Sequence, residues 1–417
     1  MPAATGAGLK ARRFSTNLPA DFDVETVELH DEYTSGIIVP GRRGKLVGKG
    51  STATVKLMIQ KGASTDGVFA VKEFRKKGQH ETEDEYNKKV NSEYMIAKSL
   101  HHPNIVESVR LCTHGGRWNH VMEFCSQGEI YTLVQKNYLT LEDNLCLFKQ
   151  LLRGVAYLHS NGIAHRDIKL ENLLMNNEGH LKITDFGVSE VFCGEHPGTR
   201  KTQTLSDEDA NECRLCAPGI CGSLPYIAPE VIDKSGKVSS SLSSESGLTS
   251  LSGHYDPRPL DVWSCAIVLL SMIYKGNPWP AANRTHPHHH YARFLSGWDK
   301  FIDKYPDGLI TGSETPSCGP LFASLHKPAI RNLLLRMMHP NPNRRITIHE
   351  AVGDRSVQGI ECCCLEEYGG GVGIDAKDKE SWKVVGRVGV RKVHNHLPPK
   401  ESRLPGVILQ KLDLGSR

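Results

Sequence analysis

Between residues 48 and 185 the chain sets out, in order, the groups needed to move a phosphoryl group from a nucleotide to a hydroxyl. These are a backbone cradle for phosphates, a cation to hold them, oxygen ligands for a divalent metal, and a carboxylate aimed at the attacking hydroxyl. The cradle is Gly48-Lys49-Gly50-Ser51-Thr52-Ala53-Thr54-Val55, with Ala53 where a third glycine would complete the pattern. Glycines let backbone N–H groups approach phosphate oxygens without a clashing side chain. Taken alone, the stretch also reads as a glycine turn between two strands. Lys72 sits in Phe69-Ala70-Val71-Lys72, inside an apolar strand, where an unpaired charge is expensive. Phosphate oxygens and Glu93, on the following helical stretch, would satisfy it; a lysine reaching out of a strand end is the plainer alternative.

The more specific signal is His165-Arg166-Asp167-Ile168-Lys169-Leu170-Glu171-Asn172, followed by Asp185-Phe186-Gly187 after the apolar strand Leu181–Thr184. Asp167 would orient the acceptor hydroxyl, Lys169 would offset charge developing on the transferred group, and Asn172 offers a neutral oxygen to a second Mg²⁺. Asp185 brings the hard carboxylate oxygen that Mg²⁺ prefers. The implied cofactors are therefore ATP and Mg²⁺.

These groups need elements to hold them. KLVGKGSTATVKLMI and VFAVKEF read as strands, as does HVMEF. Glu81 to Leu100 favours a helix, with apolar spacing at Val90, Tyr94 and Ala97. In LEDNLCLFKQLLRGVAYLHS the apolar positions Leu145, Phe148, Leu151, Leu152, Val155 and Leu158 make one buried face, and DVWSCAIVLLSMIY is apolar nearly all round, which predicts a central buried helix. The order is a small strand-rich unit followed by a larger helical one, an α+β class. The 417 residues exceed one compact core of roughly 250–300 residues, so extensions are expected. Fifty-one Lys and Arg against 47 Asp and Glu leave a net +4, which gives no support for a nucleic-acid partner. The longest apolar run, Ala266 to Tyr274, is far short of the roughly 20 residues a membrane span needs. No secretory leader is visible in the first residues; a cytoplasmic location with reduced cysteines is the expectation.

Together these strings resemble the eukaryotic protein kinase signature set over roughly residues 45 to 355, including Ala228-Pro229-Glu230, Asp261-Val262-Trp263-Ser264 and Arg345 in NPNRRIT. The resemblance implies a bilobal fold, with an antiparallel sheet and one key helix in the N-lobe and a mainly helical C-lobe. It places Met122 at the gatekeeper position and Glu123 to Cys125 in the adenine-binding hinge. It implies a buried Glu230–Arg345 pair, an Asp261 that braces the catalytic loop, and a Ser223 hydroxyl bridging Asp167 and Lys169. Lys169 is the serine/threonine-specific choice, and the Ala228-Pro229-Glu230 region, which in that family shapes a groove for extended peptides, implies protein substrates. GSLPYIAPEV, YDPRPLDVWSCAIV, NPWPAA, WDKF and KVHNHLPPKE resemble the fungal halotolerance and permease-reactivator kinases, implying a role in cation homeostasis and plasma-membrane transporters. The rival is a pseudokinase scaffold that acts by binding alone. The expected layout is a flexible arm over 1–42, a kinase domain over 43–355 (N-lobe 43–124, C-lobe 125–355, Ser-rich insertion 234–254) and a tail over 356–417, in a monomer.

Several features depart from the pattern. The usual activation-loop phosphothreonine position falls on Gly219, so Arg166 lacks an obvious phosphate partner; Thr202, Thr204, Ser206, Asp207, Glu208 and Asp209 lie upstream. Activity without phosphorylation at the usual site is the expectation. Glu129 and Glu171 match positions that pair with arginines upstream of a target residue. Cys213 and Cys216 have zinc-ligand spacing, with Cys193 and Cys221 nearby, but no second pair occurs at matching spacing. Cys362 to Cys364 are adjacent, a poor arrangement for converging on one ion, and His394 and His396 are expected to pack or to be solvated. After Ile348, Gly353-Asp354-Arg355-Ser356 stands where a helix ending in tryptophan is common, so the base of the C-lobe is expected to be looser or sealed by the tail.

Overall fold

The structure is a computed structural model that describes residues 24–35, 37–39, 42–43, 46–49, 53–62, 67–200, 213–235, 254–364, 366 and 396–399. Its small lobe is a seven-stranded sheet. Strands β1 (Leu46–Lys49), β2 (Ala53–Gln60), β3 (Val68–Phe74), β4 (Ser108–His114) and β5 (Arg117–Glu123) pair antiparallel; the order runs from Val27–Glu28 through β4, β5, β3 and β2 to Tyr33–Thr34, with β1 also on β2. Alternation along a strand sends successive side chains to opposite faces. On β3, Val71 joins Leu29, Tyr33, Met58, Cys112 and Val121 on one side, while Ala70 belongs to a different cluster with Met122.

Within the stretch read as a flexible arm, residues 24–34 instead pack on that outer face. Val27–Glu28 pairs parallel with β4, and Leu29 and Tyr33 are buried. An apolar sheet face must be covered by another layer, and residues 24–34 supply it. Helix α1 (Glu83–Ser99) covers part of the other face through Tyr86, Val90 and Tyr94 against Phe74 and Leu111. It begins at a capping box in which the Thr82 hydroxyl accepts from Glu85 N–H and Glu85 accepts from Thr82 N–H. Such a cap satisfies two of the orphan donors at a helix start.

The large lobe is built on α2 (Leu141–Ser160) and α3 (Arg258–Tyr274), which share one large apolar core. α3 is buried from Leu260 to Met272, as its nearly continuous apolar sequence requires. The lobes are tied by backbone. Ile183, in β7 (Leu181–Ile183), which pairs with β6 (Leu173–Met175), donates to the Asn104 carbonyl at 2.8 Å and accepts from Val106 N–H at 2.9 Å. Lys182 adds an ion pair with Glu123 at 2.9 Å. The Ser-rich insertion lies outside the described residues except at its ends, where Lys234 and Ser235 close the helix Pro229–Ser235.

The base of the large lobe is sealed by the C-terminal tail. Residues Ile348–Gly353 and Arg355–Gln358 are short helices, and the chain then runs along α2 with Val357, Cys362 and Cys364 buried. Of the two expectations for the base, looser or sealed, the second is the one observed. α2 carries five buried polar side chains, Asn144, Lys149, Gln150, Arg153 and His159, and the tail answers Lys149, Gln150 and Arg153. Lys149 Nζ donates to the carbonyls of Gln358 (3.2 Å) and Ile360 (3.0 Å), while Arg153 donates to the Cys364 carbonyl (3.3 Å) and pairs with Glu366. Removing the tail lets water reach Lys149 and Arg153, but it also loses buried Val357 and uncovers the apolar surface beneath it, at about 1.5–3 kcal/mol per buried apolar side chain. Truncation after residue 355 is therefore expected to lower the thermal midpoint by about 5–10 °C, with turnover per folded molecule changed much less. Melting curves and active-site-normalised rates of the two chains check this; equal midpoints would contradict it.

Candidate active site

β3 delivers Lys72 to the cleft between the lobes, in register with Val55 on β2 and His120 on β5. Its ammonium lies 2.6 Å from Glu93 Oε1 on α1 and 2.8 Å from Asp185 Oδ1. Burial pulls the Lys72 pKa down, but the carboxylates of Asp185 and Glu93 outweigh it and leave it raised above the ordinary lysine value. In return the Lys72 charge holds the Asp185 carboxyl well below the usual carboxylate range. Lys72 and Asp185 are therefore both charged at neutral pH. Gly187 makes this approach feasible, because a Cβ there would stand 2.9 Å from Glu93 Oε2.

The second cluster is centred on Asp167. Lys169 Nζ donates to Asp167 Oδ2 (2.7 Å) and to the Ser223 hydroxyl (2.9 Å), and Ser223 donates to Asp167 Oδ1 (3.3 Å). Asn172 Nδ2 donates to the Asp167 carbonyl (2.9 Å) and to Oδ2 (3.1 Å). Ser223 can come this close because Gly222 precedes it. The φ of Gly222 is +90°, in the region that favours glycine, and a Cβ there would meet the Arg166 carbonyl at 2.7 Å.

Two residues here hold left-handed backbone without being glycine, Arg166 (φ +66°) and Asp185 (φ +67°). Such conformations cost of order 1–3 kcal/mol each and persist only when their surroundings over-determine them. Asp261, fully buried in the first turn of α3, accepts from His165 N–H and Arg166 N–H at 2.8 Å each and contacts His159 Nε2 at 3.0 Å. Phe186 is buried against the His165 ring at 5.3 Å, which fixes the backbone beside Asp185. Below this, Arg345 pairs with Glu230 at 2.7 and 3.0 Å.

The cradle is described only in part. Gly48 and Lys49 lie in β1, opposite Val55 and Thr54; Gly50 and Ser51 fall outside the described residues. Val55, Ala70, Val106, Met122, Phe124, Cys125 and Leu174 form one apolar cluster beside the cleft. Ala70, Val106 and Leu174 are not visible as site residues in the sequence, because a small or aliphatic side chain carries no chemical signature until the fold brings it to a ligand. Glu123 ends β5, with its carboxylate on Lys182.

Arg166 is buried and its guanidinium donates to Glu190 Oε2 at 2.8 Å. Sequence spacing directs the search for this partner to Thr202, Thr204, Ser206 and Asp207–Asp209, all outside the described residues, and gives no sign of Glu190. Glu190 belongs to a two-residue strand paired with Ile163–Ala164, directly before the catalytic loop. Cys213 is exposed and Cys216 buried, with Cys213 bridged to Cys193 and Cys216 to Tyr255. The pair does not converge, and among the described residues it forms no metal-ligand group.

Residues 42–355 match the family model described as protein kinase domain. The chain is 33% identical over 328 residues to serine/threonine-protein kinase hal4 of Schizosaccharomyces pombe, covering 78% of this chain and 44% of that protein. It is 34% identical over 331 residues to serine/threonine-protein kinase HAL4/SAT4 of Saccharomyces cerevisiae (78% and 47%). It is 32% identical over 354 residues to the nitrogen permease reactivator protein of the same yeast (79% and 40%). The chain thus spans a little under half the length of these curated relatives. No helix among the described residues is long and apolar enough to cross a membrane. A matched domain over three quarters of the chain, with relatives named as serine/threonine kinases, leads to one conclusion: the chain belongs to the protein kinase family.

Proposed function

We propose that this chain transfers the γ-phosphate of ATP to serine and threonine hydroxyls of proteins. The observation that carries the reading is the closed set of contacts among Asp167, Lys169, Asn172 and Ser223, facing the Lys72–Glu93–Asp185 set across the cleft. Asp167 accepts the proton of the incoming hydroxyl. Lys169 and Ser223 hold the carboxylate in place, and Lys169 is near enough to neutralise charge on the group in transit. Lys72, anchored by Glu93, holds the nucleotide's phosphates, while Val55, Met122 and Cys125 surround the base, with Glu123 and Cys125 offering hinge backbone. Gly48, Lys49, Gly50 and Ser51 are the residues proposed to bind the phosphates through their backbone. The donor set suits Mg²⁺. Asn172 commits its Nδ2 to Asp167, leaving Oδ1 as an acceptor, and Asp185 is ionised, so two hard oxygens are available. Bound there, Mg²⁺ would offset phosphate charge. The catalytic unit is 43–355, followed by a tail over 356–417.

The same geometry supports two finer assignments. Glu190 provides Arg166 with an anion of the kind that a phosphothreonine supplies in many kinases, so the active arrangement needs no phosphate at the usual loop position. Glu171 Oε2 is buried with no hydrogen-bond partner among the described residues, close enough to Glu129 for their charges to interact. An unanswered buried carboxylate oxygen is costly; a guanidinium from a basic residue upstream of the target would answer it. The names of the relatives, a permease reactivator among them, together with the sequence resemblance, support targets among the regulators of plasma-membrane transporters and cation balance.

Asp167→Asn should reduce turnover by about 10²–10⁴-fold with ATP affinity nearly unchanged. In cells, phosphosites lost with the same variant should fall among transporter regulators; loss confined to unrelated proteins would remove that assignment, and full turnover by the variant would remove the enzyme reading. Phosphatase-treated protein, verified by mass spectrometry, should keep its activity, whereas Glu190→Gln should cost about tenfold, the worth of one charge-assisted hydrogen bond. In a positional peptide library, wild type should select Arg upstream of the target, and Glu171→Gln should weaken that selection by about tenfold. A library with no basic enrichment would contradict this.

A further inference from the structure

The three adjacent cysteines do not behave as their adjacency suggests. The chain bends at Cys363–Cys364, and Cys362 and Cys364 are buried against the start of α2. There Cys363 Sγ lies 3.7 Å from Cys146 Sγ. His396, 250 positions beyond Cys146 in the chain, returns to the same spot and is 1% exposed. One ligand atom from each of Cys146, Cys363 and His396 lies within 4.8 Å of the other two, the single such group among the described residues.

We propose that Cys146, Cys363 and His396 bind a structural zinc ion that staples the C-terminal tail to the catalytic lobe. Two thiolates on one tetrahedral zinc, at about 2.3 Å each, stand roughly 3.8 Å apart, which is the observed separation. Soft thiolates with imidazole select zinc over the hard cation of the nucleotide site. The surroundings are those of a ligand set. His396 Nδ1 contacts Asp143 Oδ1 at 2.8 Å, the carboxylate–histidine arrangement that orients a metal-bound imidazole, so Nε2 is the ligating nitrogen. Gln150 Nε2 donates to both Cys146 Sγ (3.4 Å) and Cys363 Sγ (3.5 Å). Arg153 Nη1 donates to Cys362 Sγ at 3.2 Å. Cys362 contacts the Cys146 thiol but lies outside the three-residue group, so the fourth tetrahedral position falls to a water molecule. Two thiolates and one neutral imidazole balance the charge of the zinc.

The backbone around His396 is shaped to receive it. Tyr138 donates its hydroxyl to the His396 carbonyl at 3.1 Å, and Gly179 (φ +84°) leaves room, since a Cβ there would stand 3.3 Å from His396 N. Asp143 serves twice, capping α2 through Thr140 N–H at 2.8 Å and holding His396. The ion would thus join the second turn of α2, the segment after the kinase domain, and a residue far along the tail.

The full chain should be expressed with a tag free of histidine and purified without chelator. Elemental analysis should then find about one zinc per chain, falling to near zero in Cys363→Ser and His396→Ala. A zinc chelator should lower the melting temperature of wild type and leave that of the variants unmoved. Should both variants fail to fold, the wild type decides. After exchange, Co²⁺ should give thiolate charge-transfer and tetrahedral d–d absorption, and re-added Zn²⁺ should erase both. Folded wild type without zinc and without the Co²⁺ spectrum overturns the proposal. So does zinc content indifferent to folded variants, and so does a Cys146–Cys363 disulfide found in purified protein.

Discussion

The catalytic face depends on one buried carboxylate. The loop that carries Asp167 must turn sharply enough to set Arg166 at positive φ, a conformation that an arginine does not adopt without compulsion. Asp261 supplies the compulsion. It presents both oxygens to two consecutive N–H groups, His165 and Arg166, from the first turn of a helix whose apolar surface is buried almost throughout. A negative charge there is favoured by the helix N-terminus. The core of the large lobe thereby sets the position of a side chain near its surface, because the helix cannot move without moving the loop.

The other half of the site is held by charge instead of backbone strain. Lys72, Glu93 and Asp185 come from a strand, a helix and a segment of the opposite lobe. Each is costly to bury alone, and together they offset one another. The arrangement therefore reports on its own assembly: withdrawal of α1 would leave Lys72 with Asp185 only, and displacement of Asp185 would leave it with Glu93. The ammonium cannot be left without a carboxylate, so alternatives in which it is unpaired are excluded energetically. Phe186 is buried beside Asp185, and both carboxylates contact Lys72.

The chemistry is legible in the sequence because phosphoryl transfer fixes residue types at fixed spacings, and α2 and α3 are legible because their periodicity is strong. The features that are not legible share a physical cause. Lys149, Gln150 and Arg153 lie on the side of α2 that reads as polar, where solvent is the natural expectation; only a segment about 210 residues later turns that side into an interior. Leu29 and Tyr33 likewise look like isolated apolar residues in a polar arm until the uncovered face of the sheet is in view. Ala70 and Leu174 owe their place to three-dimensional convergence. Local patterns report the partner a residue needs, but a distant segment decides whether that partner is water or protein.

Arg166 shows how the same limit shapes regulation. Sequence spacing directs attention to the loop before Ala228-Pro229-Glu230, since a phosphate is commonly supplied from there. The partner in place is Glu190, whose strand pairs with Ile163–Ala164 immediately upstream of the catalytic loop. A carboxylate is part of the chain and carries one charge, whereas a phosphate is added and removed and carries nearly two. A single-charge partner on a short paired strand gives a weaker but permanent anchor. Control of such an enzyme would then fall less on the charge opposite Arg166 than on access to the cleft and on whatever holds the lobe from behind. In this chain the tail that meets Lys149 and Arg153 packs on α2, the helix that leads directly into that loop.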